Sequence, residues 1–298
     1  RVYRQILSVD EKATVTIATS KTQVSSIHNQ LGNGVGICVE PCRRDTFPAV
    51  ALATAYLHDV QGVSLEESVV VCPVDPYVNQ DYFEAVKKQG EIAAEGKANL
   101  VLMGIEPTYP SEKYGYIIPC DKEPVSKVAT FKEKPDAKTA QKYMEQGALW
   151  NGGVFAYKLK YVLDKAHELI DFTDYHDLLA KYETLKKISF DYAVVEKEEQ
   201  IQVMRFSGQW KDLGTWNTLT EAMEEDCIGE AILNETCENV HVINELDVPV
   251  LCMGLKDVVV SASAEGILVS DKEQSSYIKP YVDKISQQIM FAEKSWGS

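Results

Sequence analysis

Short apolar runs alternate with amphipathic segments along the first part of the chain. The apolar runs carry β-branched residues on both faces, which is typical of strands that helices cover on both sides. The segments between them repeat their apolar positions with a helical period. This alternation predicts an α/β fold built on a parallel sheet with crossover helices. The predicted strands span 14–19, 34–40, 68–75 and 98–105, and the predicted helices span 22–31, 46–57 and 80–89.

The pattern changes twice further along the chain. Glycine and proline interrupt the middle strands, and short strand-like runs replace the helices after Asp226. We therefore place a domain boundary near Cys227, with residues 1–226 in one domain and residues 227–298 in a small β-rich domain. The predicted middle strands span 114–119, 128–135, 148–158 and 201–206, the middle helices 137–146, 160–167, 174–185, 191–198 and 216–225, the late strands 239–243, 248–253, 257–263 and 266–270, and a terminal helix starts near 271 with a kink near Pro280.

Composition excludes several classes of protein. The 298 residues include 45 acidic and 30 basic side chains, and the formal net charge of −15 disfavours binding to nucleic acid or anionic membranes. An apolar fraction of 45% is too high for a disordered chain. No run approaches the roughly 20 apolar residues of a membrane span, and the first residues lack a secretory signal, so we predict a soluble, cytoplasmic protein. Seven scattered cysteines support neither a disulfide framework nor a zinc site.

Two aspartates each follow a strand-like run and open a turn. Asp75 ends the run SVVVCPVD, and Asp212 lies in QWKDLGTW, after the strand predicted at 201–206. Because ligands gather at the carboxyl ends of strands in an open α/β sheet, these two side chains are candidates for one shared site. Paired carboxylates suit Mg²⁺, which shares its remaining coordination with substrate phosphates and water. The alternative is that each aspartate only caps a turn, and the residue pattern alone favours that alternative.

The segment EPCRRDTFPAV, residues 40–50, leads from a strand into a helix. Free amides at the helix N-terminus, with Arg43 and Arg44 beside them, form a candidate anion or nucleotide site on an acidic protein. Thr46 is a candidate N-cap of this helix, and Pro48 suits its first turn. The alternative is a solvated basic turn.

Two further segments carry groups that suit a sugar phosphate. FKEKP places Lys132, Glu133 and Lys134 on alternating sides of a strand, and WNGGVF offers the Asn151 amide beside two glycines. Carboxylate and amide groups can bind sugar hydroxyls, a lysine can hold a phosphate, and glycines allow close backbone approach. The alternative is an edge strand with surface charges and a β-bulge at the two glycines.

Taken in order, these segments resemble the sugar-nucleotide pyrophosphorylases, in their mannose-1-phosphate guanylyltransferase branch. The motifs are EPCRRDTFPAV, CPVD, YGYI, FKEKP, WNGGVF, SFDYAVVEK and WKDLGTW. The resemblance covers about residues 34–216, with a weaker extension over 254–269. It implies a Rossmann-like nucleotidyltransferase domain with a mixed, mainly parallel sheet, followed by a small β-helix-like domain. It also implies Mg²⁺-dependent synthesis of GDP-mannose and pyrophosphate from GTP and mannose 1-phosphate, and it is compatible with a homodimer.

The same resemblance assigns roles to individual residues. Asp75 and Asp212 would be the catalytic Mg²⁺ ligands, and Lys134 would contact the sugar phosphate as a third catalytic residue. The residues that would bind the sugar are Gly115, Glu133, Asn151 and Gly152, and those that would bind the nucleotide are Glu40, Arg44, Asp45 and Pro48.

The chain departs from the family pattern at three places. The family's glycine-rich phosphate loop would precede Arg1, so we expect a chain that begins at Arg1 to lack a strand, to be less stable and to make no measurable GDP-mannose. Pro76 stands where the family has histidine, and Asp45 stands where it has asparagine. The alternatives that stay open are a related enzyme with another nucleoside triphosphate or hexose 1-phosphate, and a non-catalytic protein that binds sugar nucleotides.

Overall fold

The computed structural model describes residues 1–264, 266–278 and 281. The chain divides into two compact units. The first unit comprises Arg1–Val74 and Val78–Trp210, and the second comprises Asp75–Tyr77 and Lys211–Ser298. This division lies upstream of the boundary predicted at 226/227, and it assigns a three-residue segment from the first half of the chain to the second unit.

The secondary structure follows the predicted alternation over most of the chain. The helices are α1 (Val2–Val9), α2 (Val24–Leu31), α3 (Thr46–Ala55), α4 (Gln80–Ala94), α5 (Ala137–Glu145), α6 (Leu159–Leu169), α7 (Tyr175–Lys181), α8 (Phe190–Ala193) and α9 (Trp216–Thr220). The first strands are β1 (Thr16–Ser20), β2 (Gly36–Glu40), β3 (Ser68–Val71), β4 (Tyr77–Val78), β5 (Leu100–Ile105), β6 (Tyr116–Pro119), β7 (Val125–Lys132) and β8 (Leu149–Lys158). The later strands are β9 (Ile201–Phe206), β10 (Trp210–Lys211), β11 (Cys227–Ile228), β12 (Ala231–Leu233), β13 (His241–Asn244), β14 (Val250–Cys252), β15 (Val258–Ser263) and β16 (Gly266–Asp271).

A six-stranded mixed sheet lies at the centre of the first unit, in the order β3-β8-β5-β9-β7-β6. Strand β8 lies between β3 and β5 and is antiparallel to both, whereas β5 and β9 are parallel. Strand β7 is antiparallel to both β6 and β9. The mixed sheet is therefore confirmed. The expectation that it is mainly parallel is wrong, because β5 and β9 are the one parallel pair among the described strands of this sheet and its other paired strands are antiparallel. The physical reason is that β7 and β8 each insert beside strands that run in the opposite direction. Strands β1 and β2 form a separate parallel pair.

Strand β5 is buried on both faces, as its apolar run predicts. Alternate side chains point to opposite faces of a strand. Val101 and Met103 pack in one core cluster with Tyr82 of α4, while Leu102 packs in another with Phe47 of α3. Every residue of β5 is buried. The sheet is thus a layer between helices at this strand.

Several element bounds differ from the predictions. Helix α3 ends at Ala55 and continues as a π-helical turn, Tyr56–Val60, and α4 extends to Ala94. The helix predicted at 216–225 ends at Thr220, and the amphipathic helix α1 was not predicted. At the end of the described chain, β16 reaches Asp271 and a 3₁₀ turn spans Gln274–Tyr277. The kink predicted near Pro280 and most of the predicted terminal helix lie outside the described residues.

The second unit is rich in short strands, as predicted. Strands β11, β13 and β15 pair in parallel, β16 is antiparallel to β15, and β12 and β14 form a second parallel pair. Val242, Cys252 and Val260 form its small buried core. Across both units, no described helix has the length and apolar character that crossing a membrane requires.

Candidate functional site

Strand pairing brings three of the predicted sugar-binding residues together in the first unit. Strand β6 is antiparallel to both β7 and β8, and Tyr116 lies opposite a residue of each. The position before Tyr116 therefore lies beside the positions that follow its two partners. These three positions are Gly115, Glu133 and Asn151. The backbone N–H of Asn151 donates to the backbone carbonyl of Gly115 at 2.8 Å.

Gly115 is the point of closest approach in this group. A Cβ atom at this position would lie 2.5 Å from Oε2 of Glu133, 3.0 Å from Cζ of Phe131 and 3.3 Å from Cβ of Asn151. Real Cβ atoms do not approach heavy atoms at 2.5 Å, so any larger residue would displace the Glu133 carboxylate. The glycine is needed here for space beside Glu133.

Glu133 and Lys134 form an ion pair directly after β7. The Glu133 side chain is only 6% exposed, whereas the Lys134 side chain is 53% exposed, and Lys134 Nζ donates to Glu133 Oε1 at 2.7 Å. Burial lowers the pKa of Lys134, but its hydrogen bond to Glu133 and the charges of Glu133 and Asp191 more than offset this, so its pKa is raised. A charged ammonium group therefore faces solvent beside a buried carboxylate.

A second carboxylate, Glu196, supports this pair from the segment that follows α8. Its Oε1 accepts from the backbone N–H of Glu133 and from Nζ of Lys132, each at 3.1 Å. The same atom thus fixes the backbone at the end of β7 and binds a neighbouring lysine. This contact orients Glu133.

Asn151 precedes an irregularity in strand β8. The register of β8 against β5 shifts between Leu102 and Gly104, and Gly153 has a positive φ of 72°. The Gly153 N–H donates to Asn151 Oδ1 at 3.2 Å. The β-bulge of the alternative explanation is therefore present. The edge strand of that alternative is not, because β7, which carries the start of FKEKP, lies between β6 and β9. Gly152 faces β5, since a Cβ there would lie 3.2 Å from the carbonyl oxygen of Met103.

The segment predicted to face the nucleotide is bound to the region of α7 and α8. Glu40 Oε2 accepts from the Tyr182 hydroxyl at 2.8 Å, and an Arg44 guanidinium N–H donates to the backbone carbonyl of Glu183. Burial, followed by the hydrogen bond to Glu40 and the charge of that carboxylate, raises the pKa of Tyr182. Glu40 and Arg44 thus both form hydrogen bonds within the protein.

The start of α3 differs from the prediction in its capping residue. Asp45, at φ 69°, is the N-cap, and its carboxylate accepts from the Thr46 N–H at 2.8 Å. Thr46, which we had predicted as the cap, is the first helical residue, and its hydroxyl accepts from the Phe190 N–H at 2.8 Å. Pro48 is buried in the first turn. The cap therefore lies one residue earlier than predicted, and the Thr46 hydroxyl binds the start of α8 instead.

The two aspartates predicted to bind Mg²⁺ both lie in the second unit. Asp75 lies two residues before β4, Asp212 directly follows β10, and these two short strands pair with each other. Asp75 is exposed, and Asp212 is half-buried with Oδ1 accepting from the Gly214 N–H at 2.8 Å. Neither carboxylate forms an ion pair with a residue that the structure describes.

These two carboxylates fit the chemistry of a Mg²⁺ site. Mg²⁺ commonly takes one or two protein carboxylates and completes its octahedron with water and substrate phosphates. A preformed cage is not required, and no group of three or more His, Cys, Asp or Glu side chains among the described residues is arranged to hold a metal ion. The Mg²⁺ site stays a prediction, to which these two carboxylates would contribute the protein ligands.

A family comparison assigns most of the chain to one family. Residues 3–228 match the model of the family described as Nucleotidyl transferase. The chain belongs to the nucleotidyl transferase family. The six-stranded sheet and the polar group at the ends of β6, β7 and β8 are thus parts of a nucleotidyl transferase domain.

Several relatives of this nucleotidyl transferase are named mannose-1-phosphate guanylyltransferase. It is 28% identical to mannose-1-phosphate guanylyltransferase of Escherichia coli over 90% of this chain and 64% of the relative. It is also 28% identical to mannose-1-phosphate guanylyltransferase RfbM of Salmonella typhimurium, over 84% of this chain and 57% of the relative. The chain spans less than two thirds of the length of these relatives.

A solved structure supports the fold over nearly the whole chain. A Thermus thermophilus protein described as mannose-1-phosphate geranyltransferase superposes with a TM-score of 0.74 and 26% sequence identity. The match covers 95% of this chain and 87% of the other.

Sequence reasoning missed Asp191 in this nucleotidyl transferase. Its Oδ1 accepts from Nδ2 of Asn151 at 2.8 Å. Burial, followed by the charge of Glu133, raises the pKa of Asp191 to about 7. Asp191 lies in the motif SFDYAVVEK, which contributed to the family resemblance but was given no role for single residues. The motif was the available signal, and the 40-residue separation from Asn151 hid the contact.

Proposed function

We propose that this nucleotidyl transferase makes GDP-mannose and pyrophosphate from GTP and mannose 1-phosphate. The observation that carries the proposal is the polar group formed by Gly115, Glu133, Lys134 and Asn151 at neighbouring strand ends. The names of the relatives support the choice of substrates. The reaction class agrees with the family.

The group of polar residues is suited to a hexose 1-phosphate. Glu133 has one carboxylate oxygen bound by Lys134, and its Oε2 lies beside Gly115, where it can accept from sugar hydroxyls. Asn151 retains amide hydrogen-bonding capacity for a second hydroxyl. Lys134 is exposed enough to contact the phosphate. We assign sugar recognition to Glu133 and Asn151 and phosphate recognition to Lys134.

The proposed reaction needs no nucleophilic side chain. An oxygen of the mannose 1-phosphate dianion forms a bond to the α-phosphorus of GTP, and the bond from that phosphorus to the bridging oxygen breaks. Pyrophosphate leaves with the electron pair of that bond. Catalysis of such transfers depends on alignment and on neutralising charge, which Lys134 supplies at the sugar phosphate.

Asp75 and Asp212 are the proposed ligands of Mg²⁺, which when bound would neutralise phosphate charge on the nucleotide. The residues that we propose lie next to the nucleotide are Glu40, Arg44, Asp45 and Pro48. Because Asp45 caps α3 and Arg44 already binds a carbonyl of the protein, we assign this segment the task of shaping the loop. Arg44 retains further N–H donors for a phosphate or base.

For the second unit we propose a short β-helix. In such a coil each strand pairs in parallel with the strand one turn further along the chain. Cys227 pairs with Val242, and Val242 pairs with Val260, so three successive segments lie in parallel register. The pairing of Ala231 with Val250 repeats this arrangement on a second side.

A direct assay of product formation tests the proposal. The protein, including any residues encoded upstream of Arg1, is incubated with mannose 1-phosphate, Mg²⁺ and one of GTP, ATP, UTP or dTTP. The sugar nucleotide is identified by anion-exchange chromatography and mass spectrometry. Parallel reactions contain glucose 1-phosphate, or EDTA in place of Mg²⁺. We expect GDP-mannose as the main product and its loss with EDTA.

The assay separates the alternatives. A main product from another nucleotide or hexose would replace our substrate assignment by that of a related transferase. Binding of GDP-mannose without turnover would instead support a non-catalytic protein that binds sugar nucleotides.

A further inference from the structure

Both ends of the Asn151 side-chain amide are held by the protein. Its Oδ1 accepts from the Gly153 N–H at 3.2 Å, and its Nδ2 donates to Asp191 Oδ1 at 2.8 Å. An ionised carboxylate only accepts hydrogen bonds, and a backbone N–H only donates. Asp191 and Gly153 therefore select one orientation of the amide and leave the second Nδ2 hydrogen available as a donor.

Asp191 itself is held firmly by its own segment. It is the second residue of α8, whose N-cap Ser189 accepts from the Tyr192 N–H at 3.2 Å. The preceding residue, Phe190, is fully buried and donates its N–H to the hydroxyl of Thr46 on α3. The carboxylate thus has a fixed position relative to β8.

The charges around Asp191 are nearly balanced. The charges of Glu133 and Lys134, directly after β7, act on Asp191. Glu133 pairs with Lys134, and Glu196 pairs with Lys132, the residue before Glu133. On α3, which packs against α8, the ionisable group is the N-cap Asp45, whose carboxylate binds the Thr46 N–H. Lys134 is the cation that offsets the two carboxylates Glu133 and Asp191.

We propose that Asp191 is a positioning residue of the sugar site: it orients Asn151 toward the hexose and takes up a proton when a sugar phosphate binds Lys134. This inference rests on the proposed function. It adds the residue that governs hexose selection and the ionic state in which the site binds its substrate.

The proton uptake follows from the charge balance. A phosphate dianion that binds Lys134 draws the ammonium group away from Glu133 and adds negative charge. The pair of Glu133 and Asp191 then lacks its cation, and the more weakly ionised member gains a proton. Because the pKa of Asp191 is raised to about 7 before the phosphate arrives, at slightly alkaline pH it is largely ionised and able to accept that proton. Binding must therefore strengthen as the pH falls toward neutrality.

Two variants separate orientation from charge. Asp191→Asn keeps an oxygen that can accept from Asn151 but carries no ionisable group, and Asp191→Ala removes both. Asp174→Asn is the matched control, because Asp174 is the N-cap of α7 in the same unit and asparagine preserves its capping role. Circular dichroism and thermal melting establish that each variant is folded.

Isothermal titration calorimetry with mannose 1-phosphate at about pH 8, in buffers of different ionisation enthalpy, measures both the affinity and the number of protons taken up on binding. Steady-state kinetics give the KM values for mannose 1-phosphate and GTP. Wild type should take up on the order of half a proton or more per sugar phosphate bound. Asp191→Asn should bind within about threefold of wild type with little proton uptake. Asp191→Ala should bind mannose 1-phosphate about tenfold or more weakly, with less preference over glucose 1-phosphate and an unchanged KM for GTP.

Each other outcome has a distinct meaning. If wild type binds mannose 1-phosphate while Asp191→Ala keeps its affinity and selectivity, or Asp191→Asn takes up the same proton, the role of Asp191 is refuted and the proposed function stands. If wild type binds no hexose 1-phosphate, both the proposed function and this inference are refuted. A change in melting temperature alone, with binding and proton uptake unaltered, would give Asp191 a structural role only and would also refute it.

Discussion

At the scale of single residues, Gly115 offers the sharpest test of the sugar site. A Cβ at this position would lie 2.5 Å from Glu133 Oε2, so Gly115→Ala must move the carboxylate or the strand. We expect the KM for mannose 1-phosphate to rise by about tenfold or more while the KM for GTP stays unchanged. Gly34→Ala is the control, since a Cβ there meets no atom within 4 Å. Equal kinetics for the two variants would place the sugar elsewhere.

The metal assignment is tested by two single substitutions in the second unit. Asp75→Asn and Asp212→Asn should each lower kcat by about two to three decades, because each removes one anionic ligand. The fold should persist, since Asp75 is exposed and asparagine at position 212 can still accept from the Gly214 N–H. Steady-state rates across a Mg²⁺ titration provide the measurement, with the exposed Asp247→Asn as control. Wild-type rates in both variants would exclude these ligands.

The same scale shows what sequence can and cannot supply about the site. Glu133, Lys134 and Asn151 were predicted as candidates because their motifs stand in the family's order along the chain. Their contacts required the pairing of β6 with β7 and β8. Asp191 was missed because its role arises from one hydrogen bond to a residue far away in sequence, and its own motif does not indicate that partner.

At the scale of elements, hydrophobic periodicity predicted where the strands lie along the chain better than which strands pair with each other. The strand at 201–206 has the predicted bounds, and most others differ by one to three residues. The insertion of β8 between β3 and β5 could not be predicted, because hydrophobic period reports which faces are buried and contains no information on strand order. The two-residue strands β4 and β10 are too short to show any period.

A buried lysine links two segments of the second unit and predicts a pH-dependent stability. Lys272 is 6% exposed, and its Nζ donates to Asn239 Oδ1 at 2.5 Å and to His241 Nδ1 at 2.8 Å. Burial and the Lys272 charge lower the pKa of His241, although Asp226 opposes them. Burial also lowers the pKa of Lys272, against the charges of Asp226, Asp257 and Glu221. In the folded protein His241 is therefore neutral and accepts from the ammonium group.

The sign of the pH effect follows from these directions. The unfolded chain protonates His241 near its ordinary pKa of 6.5, whereas the folded protein resists protonation. Stability is therefore present above that pH and is lost as the pH falls below it. His241→Gln should remove this part of the loss between about pH 7 and pH 5, on the order of 1 kcal/mol for one buried hydrogen bond. Urea unfolding at each pH measures it, with the exposed His176→Gln as control. An unchanged pH slope in His241→Gln would refute the assignment.

At the scale of the whole molecule, the net charge of −15 sets two electrostatic effects against each other. Added salt weakens the ion pairs, but pairs such as Lys88–Glu91, Lys97–Glu95 and Lys256–Glu238 are about half exposed or more on both sides. Exposed pairs contribute only about 0–1 kcal/mol each, so their screening costs little. Salt also screens the mutual repulsion of the excess carboxylates, which acts on the folded state as a whole.

The repulsion should therefore decide the sign of the salt effect. We expect the melting temperature at about pH 8 to rise by a few degrees when NaCl increases from about 20 mM to about 300 mM. The control is the same pair of salt concentrations near pH 5, close to the sequence pI of 4.8, where the net charge is small and the rise should vanish. Differential scanning calorimetry measures both, with glycerol in place of salt to exclude a general solvent effect. A melting temperature that falls with salt at pH 8 would mean that the ion pairs outweigh the repulsion, and the acidic surface would then be a stabilising network.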